Sequence, residues 1–134
     1  MGHNGASWIK RQSAWRWKQD AAEKAQQHAD KLACEAWNER LVQLGGPLQP
    51  SPSIRAAING GYIFLRVECS ACQQSAWIDL TRVRRPRETW IWQLEGSLAC
   101  TPCRERSKFA PRTKIEMLCE SDRQMGPSRF EERD

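Results

Sequence analysis

Cys69-Ser70-Ala71-Cys72 and Cys100-Thr101-Pro102-Cys103 constrain this chain more than any other feature. Two residues between cysteines let both sulfurs face one ion from a single tight turn, so each pair supplies half of a tetrahedral site. Two halves give the four thiolates that zinc takes in structural sites, a coordination that leaves no position open for a reacting water. Residues 73–99, 27 in all, separate the halves. That exceeds the usual ribbon or finger spacing but accommodates a strand, its return and a short helix. An iron–sulfur cluster takes the same four ligands, and spacing does not separate the two. A redox dithiol, the remaining alternative, draws its low pKa from a helix N-terminus, whereas Cys69 closes an alternating strand pattern. The reading is therefore structural Zn2+ on Cys69, Cys72, Cys100 and Cys103. Cys119 is the reserve ligand, and Cys34 is a small buried or idle residue.

Compartment follows from the same residues. Residues 1–8 hold no apolar signal stretch, and no run approaches the roughly 20 apolar residues of a membrane span. Six cysteines without an export signal are expected to stay reduced in the cytoplasm, which favours metal over disulfides.

The 134-residue chain reads as one small domain with appendages. Residues 1–7, small and polar with two glycines, are expected to be disordered. Residues 8–44 contain neither proline nor glycine and are rich in good helix formers. Gly45-Gly46-Pro47 then ends the helix. Its apolar positions make two seams, Ala22, Ala25, Ala29, Leu32 and Ala36, and beside it Ala33, Trp37, Leu41 and Leu44. These seams pack on the rest of the chain, on a second copy or on a protein partner. The opening stretch carries Lys10, Arg11, Arg16 and Lys18 with Trp8, Trp15 and Trp17 and no acid. It either packs its tryptophans on the body or lies on nucleic acid or a membrane surface.

Residues 45–53, with three prolines, form a stiff linker and a domain boundary. Ser53 caps a short helix over 54–59. Residues 62–69 alternate as a half-buried strand, 75–83 answer as its hairpin partner, 89–95 form a short helix, and 113–119 add a third strand with Ile115 and Met117 facing inward. Residues 120–134 read as a disordered tail. The fold class is α+β: a long N-terminal helix followed by a small three-stranded antiparallel zinc ribbon over 54–119. A core of this size rarely stands without a staple, and zinc on thiolates contributes about 10–16 kcal/mol in small finger peptides.

No nucleophile elbow, phosphate loop or Ser/His/Asp set is present, so enzyme activity is not expected. Formal net charge is +5. The excess sits in residues 55–119, with 11 basic against 6 acidic side chains. Arg82, Arg84, Arg85, Arg87, Arg104 and Arg106 are candidate contacts to DNA or RNA backbone phosphates, with Trp77, Trp90 or Trp92 available to stack on bases. Alternatively these cations offset the negative charge of a metal tetrathiolate or are simply solvated. The functional expectation is a non-enzymatic nucleic-acid-binding accessory or regulatory factor. The alternative is an adaptor that dimerises or docks through helix 8–44.

Ser53-Ile54 with Ala57, Gly61-Tyr62, Cys69-x-x-Cys72, Ile78-Asp79-Leu80, Arg85-Pro86, Leu94-Glu95, Leu98 and Cys100-x-x-Cys103 occur in that order. In these motifs the stretch 53–119 resembles a family of short, uncharacterised bacterial zinc-ribbon-like proteins. The resemblance implies a metal-binding module on the same four cysteines and no activity. Helix 8–44 lies outside it.

Overall fold

Residues 3–106, 108, 111–120 and 130–132 are described in the computed structural model, with side chains from residue 11 onward. The chain carries no proline before Pro47, and once nucleated a helix propagates until something stops it. One helix, α1, accordingly runs His3–Leu44. It opens inside the 1–7 segment expected to be disordered. It ends where expected. Gly45 takes φ 70, and the amides of Gly45 and Gly46 return to the carbonyls of Leu41 and Arg40, which caps the last turn.

Among the described side chains, those of α1 from Asp30 onward meet the rest of the protein, and those of residues 11–29 are exposed. Cys34 and Trp37 are buried, and Leu41 packs beside them. The first alanine seam instead faces solvent, with Leu32 50 % exposed. Trp15 and Trp17 are 64 % and 71 % exposed, so the expected packing of the N-terminal tryptophans is not found for these two. The Trp8 side chain lies outside the described residues.

The proline-rich segment after α1 is pinned along its length. The Trp37 indole donates to the Leu48 carbonyl at 2.8 Å, Arg40 donates to the Pro50 carbonyl, and Ser51 and Pro52 are buried. Helix α2, Ile54–Asn59, starts where the Ser53 hydroxyl accepts the Ala56 amide. It stops at Gly60. A Cβ there would lie 2.7 Å from the Lys31 backbone nitrogen, so the missing side chain is what lets α2 approach α1. Asn59 also donates to Asp30 at 2.8 Å.

Three strands follow in an antiparallel sheet of order β2-β1-β4: β1 Phe64–Cys69, β2 Ser75–Asp79 and β4 Thr113–Cys119. The first strand starts later than its alternation suggests because the Tyr62 amide is spent on the Ala57 carbonyl. The second stops early because the Asp79 carboxylate accepts the Thr81 amide at 2.9 Å and opens a 3-10 turn, Leu80–Arg82. A register shift between Arg66 and Val67 places Met117 opposite Arg66 and Ile115 opposite Val67. This bulge takes one extra residue on β4. It puts Leu118, rather than the expected Met117, in the core with Ile115.

The stretch expected to be a helix over 89–95 is a 3-10 turn, Ile91–Gly96. With three residues per turn, Ile91 and Leu94 stack on one side, and both are fully buried while Trp90 stays exposed. Strand β3, Leu98–Cys100, leads into helix α3, Thr101–Arg106. Within the tail expected to be disordered, Phe130–Glu132 forms β5, antiparallel to β3. Residues 121–129, 133 and 134 lie outside the described residues.

The buried side chains of α1, α2, the sheet and the Ile91–Gly96 turn form one continuous core. Trp37→Ala should therefore cost about 3–5 kcal/mol. Gly60→Ala should cost about 1–3 kcal/mol by forcing two helix backbones apart. Denaturant unfolding of both variants checks this.

Candidate metal centre

Each cysteine pair sits where a strand hands over to a turn. Cys69 ends β1, its amide donates to the Gln74 carbonyl, and the Gln73 amide returns to the Cys69 carbonyl. Gln73 adopts φ 59 to close this loop. The Ser70 amide donates to the Arg112 carbonyl, which ties the turn to the residue before β4. Cys100 ends β3, and the first turn of α3 carries Cys103 back to the same side. Thr113, buried at the start of β4, donates to the Leu98 carbonyl at 2.8 Å. The two halves are thereby held together from beneath.

The four sulfurs converge. Cys69, Cys72, Cys100 and Cys103 Sγ atoms all lie within 4.8 Å of one another. Cys72 and Cys100 Sγ, one from each half, are 3.9 Å apart. That is far too long for a disulfide of about 2.05 Å and close to the edge of about 3.8 Å in a tetrahedron with metal–sulfur bonds of about 2.3 Å. All four are free thiols, three buried and Cys72 half-buried. The donor set and its size fit a thiophilic, tetrahedral metal ion.

Titration of the bare sulfurs is uneven. A hydrogen bond from the Gln74 amide, helped by the neighbouring thiols, brings Cys72 down to about 7. The bond to Cys72, together with burial, pushes Cys103 up to about 12. Sulfurs this close do not ionise together unaided, because each added negative charge disfavours the next. A cation among them removes that penalty.

Cys119 is not part of the cluster. It pairs with Phe64 while Cys69 pairs with Thr113, so it sits at the opposite end of β1, about 16 Å away at the strand rise. The reserve-ligand expectation is thus corrected by the direction of β4. Cys34 is fully buried on α1, as expected of a small core residue. Burial, then Asp30 and Glu35, push its thiol up to about 12.

Several of the arginines expected at phosphates have internal partners. Arg82 lies 3.6 Å from Asp79. Arg84 meets Glu132 through its backbone amide and, at 3.2 Å, its Nε. Arg87 donates to the Leu80 and Thr81 carbonyls at 2.9 and 3.2 Å, and Arg104 reaches Glu131 at 2.8 Å. Arg85 and Arg106 are exposed. Of the tryptophans expected to stack on bases, Trp77 lies under the Arg66 guanidinium at 5.3 Å. Trp90 and Trp92 line a groove with Pro50 and Ser51.

Two features escaped the sequence. Asn38 on α1 both donates to the Leu118 carbonyl at 2.9 Å and accepts its amide at 2.7 Å, pairing with β4 much as another strand would. Glu131 and Glu132 fasten β5 to Arg104 and Arg84. An amide side chain on a helix facing a sheet edge could have hinted at the first. Nothing local marks the second.

The fold and site define an α+β protein with a cluster of four cysteines that could hold a metal ion. No protein family, curated protein or solved structure matches the chain. No helix among the described residues is long and apolar enough to cross a membrane.

Serine at any one of Cys69, Cys72, Cys100 or Cys103 should abolish stoichiometric metal retention and cooperative unfolding of the core that carries the cluster. Cys119→Ser should leave metal content unchanged. Metal analysis after gel filtration separates the cases. A second expectation concerns Cys34. Its folded pKa lies above the unfolded value near 9, so its neutral form is favoured by folding. That contribution is complete below about pH 9 and is lost as the pH climbs toward about 12. Denaturation midpoints of wild type and Cys34→Ala should therefore converge as the pH is raised through this window.

Proposed function

We propose that this is a non-enzymatic interaction protein in which a structural zinc ion on Cys69, Cys72, Cys100 and Cys103 staples a small head, and α1 projects from it as a docking arm. Zinc is favoured by the four-sulfur set, which matches closed structural sites and leaves no vacant coordination position. The resemblance of residues 53–119 to bacterial zinc-ribbon-like proteins points the same way. One observation carries the docking reading. Residues 11–29 are exposed on every face, yet they belong to a helix anchored at Cys34, Trp37 and Asn38. At 1.5 Å per residue the free part is about 28 Å long. A solvated helix of that length gains nothing for the fold by carrying Trp15 and Trp17.

Nucleic-acid binding by the head, through Arg82, Arg84, Arg85, Arg87, Arg104 and Arg106, is the weaker form of the reading. Using Arg84, Arg87 and Arg104 on phosphates would mean giving up the carboxylate and carbonyl partners that hold β5 and the Leu80–Arg82 turn. The arm requires no such exchange.

The purified protein should contain one zinc per chain and no visible charge-transfer band. Such a band with iron and sulfide would replace zinc by a cluster. Alanine at both Trp15 and Trp17 should leave head stability within about 0.5 kcal/mol of wild type, as for surface positions. A larger loss in denaturant unfolding would mean that the arm packs on the head, and the docking reading would fall.

A further inference from the structure

Resting on the docking reading, we infer that the free end of α1 binds the phosphate backbone of duplex DNA, lying as a helix in the major groove. No acidic residue precedes Asp20, whereas Lys10, Arg11, Arg16 and Lys18 all do. Among these, the described side chains of Arg11, Arg16 and Lys18 are exposed and lie on one unbroken helix. Among the described residues none of the three forms an ion pair.

Their arrangement around the helix narrows the partner. At 100° per residue, Arg11, Trp15 and Lys18 share one side, while Arg16 and Trp17 point to two other sides. Cations and aromatic rings therefore surround the helix. A helix on a membrane surface needs its apolar residues on one face and its charges on the other, and this segment lacks that division. A second copy would have to bind through the solvent-facing alanine seam, which buries little apolar area. A groove with phosphates on both walls suits charge on all sides. The major groove of B-form DNA, about 12 Å wide, admits an α-helix, and continuous basic helices are an established way of entering it. The deep, narrow major groove of A-form RNA does not admit one.

The arm beyond Asp20 is different in charge. Residues 20–39 hold Asp20, Glu23, Asp30, Glu35 and Glu39 against Lys24 and Lys31. Contact is thus confined to the outer end, and the head stands off the duplex. Phosphate contact alone fixes position and gives no base specificity.

The test uses zinc-loaded full-length protein and a labelled mixed-sequence duplex, read by fluorescence anisotropy at 50 and 200 mM salt. Each phosphate contact adds about −0.9 to the slope of log affinity on log salt. Three contacts therefore weaken binding at least about 40-fold over this range. Arg11→Gln, Arg16→Gln and Lys18→Gln combined should remove that much of the salt dependence. Arg85→Gln with Arg106→Gln should not. The inference is overturned by absence of binding at low salt, or by binding that the helix triple variant leaves intact. It is equally overturned by tighter binding to single strands or duplex RNA, or by binding to anionic vesicles but not to DNA. Sedimentation equilibrium under the same conditions keeps the two levels apart. Self-association that the triple variant retains, without DNA binding, overturns the DNA partner while the docking arm stands.

Discussion

Four sulfur atoms from two turns meet inside a 4.8 Å cluster, and the proposed metal ion would make that meeting the staple of the head. Cys69 ends the central strand and Cys100 ends the strand that receives β5. Without a cation between them thiolates this close oppose one another's ionisation, because each added negative charge disfavours the next. With one, mutual repulsion becomes a cross-link between segments whose connection is 27 residues long. A sheet of three short strands has little other means of fixing its far edge.

The second anchor is apolar and lies at the opposite end of the sheet. Trp37 and Cys34 of α1 enter the core, and Asn38 takes up both backbone groups of Leu118. Gly60 lets α2 close against Lys31. Among the described side chains, the helix is thus gripped from Asp30 onward and exposed over residues 11–29. Of its two seams, Ala22 to Ala36 faces outward, and the neighbouring one turns only Trp37 and Leu41 inward while Ala33 and Leu44 stay exposed. This division sets the direction of the arm, and the basic, tryptophan-bearing end is carried as far from the head as the helix reaches.

Local patterns were readable in the sequence and long-range ones were not. The 54–59 helix, with Ser53 as cap, and the 113–119 strand appear at their expected bounds, because capping chemistry and two-residue alternation act within a few residues. The clustering of Cys69, Cys72, Cys100 and Cys103 was legible for the same reason, since each half is a single turn. The bulge opposite Arg66, which exchanges Met117 for Leu118 in the core, depends on the neighbouring strand. The pairing of Asn38 with Leu118 spans 80 positions. Strand β5 is polar apart from Phe130 and is held by arginines from two other segments, so composition alone marked it as a tail. The partners of the arginines were equally illegible, because Asp79, Glu132 and Glu131 meet Arg82, Arg84 and Arg104, and the Leu80 and Thr81 carbonyls meet Arg87, only in the folded chain.

The coordination sphere itself is the most direct measurement of the central claim. X-ray absorption at the zinc edge of the purified protein should show a single shell of four sulfurs at about 2.3 Å, without nitrogen or oxygen neighbours. A mixed shell, fewer than four sulfurs, or the same spectrum after Cys72 is replaced by serine would contradict it.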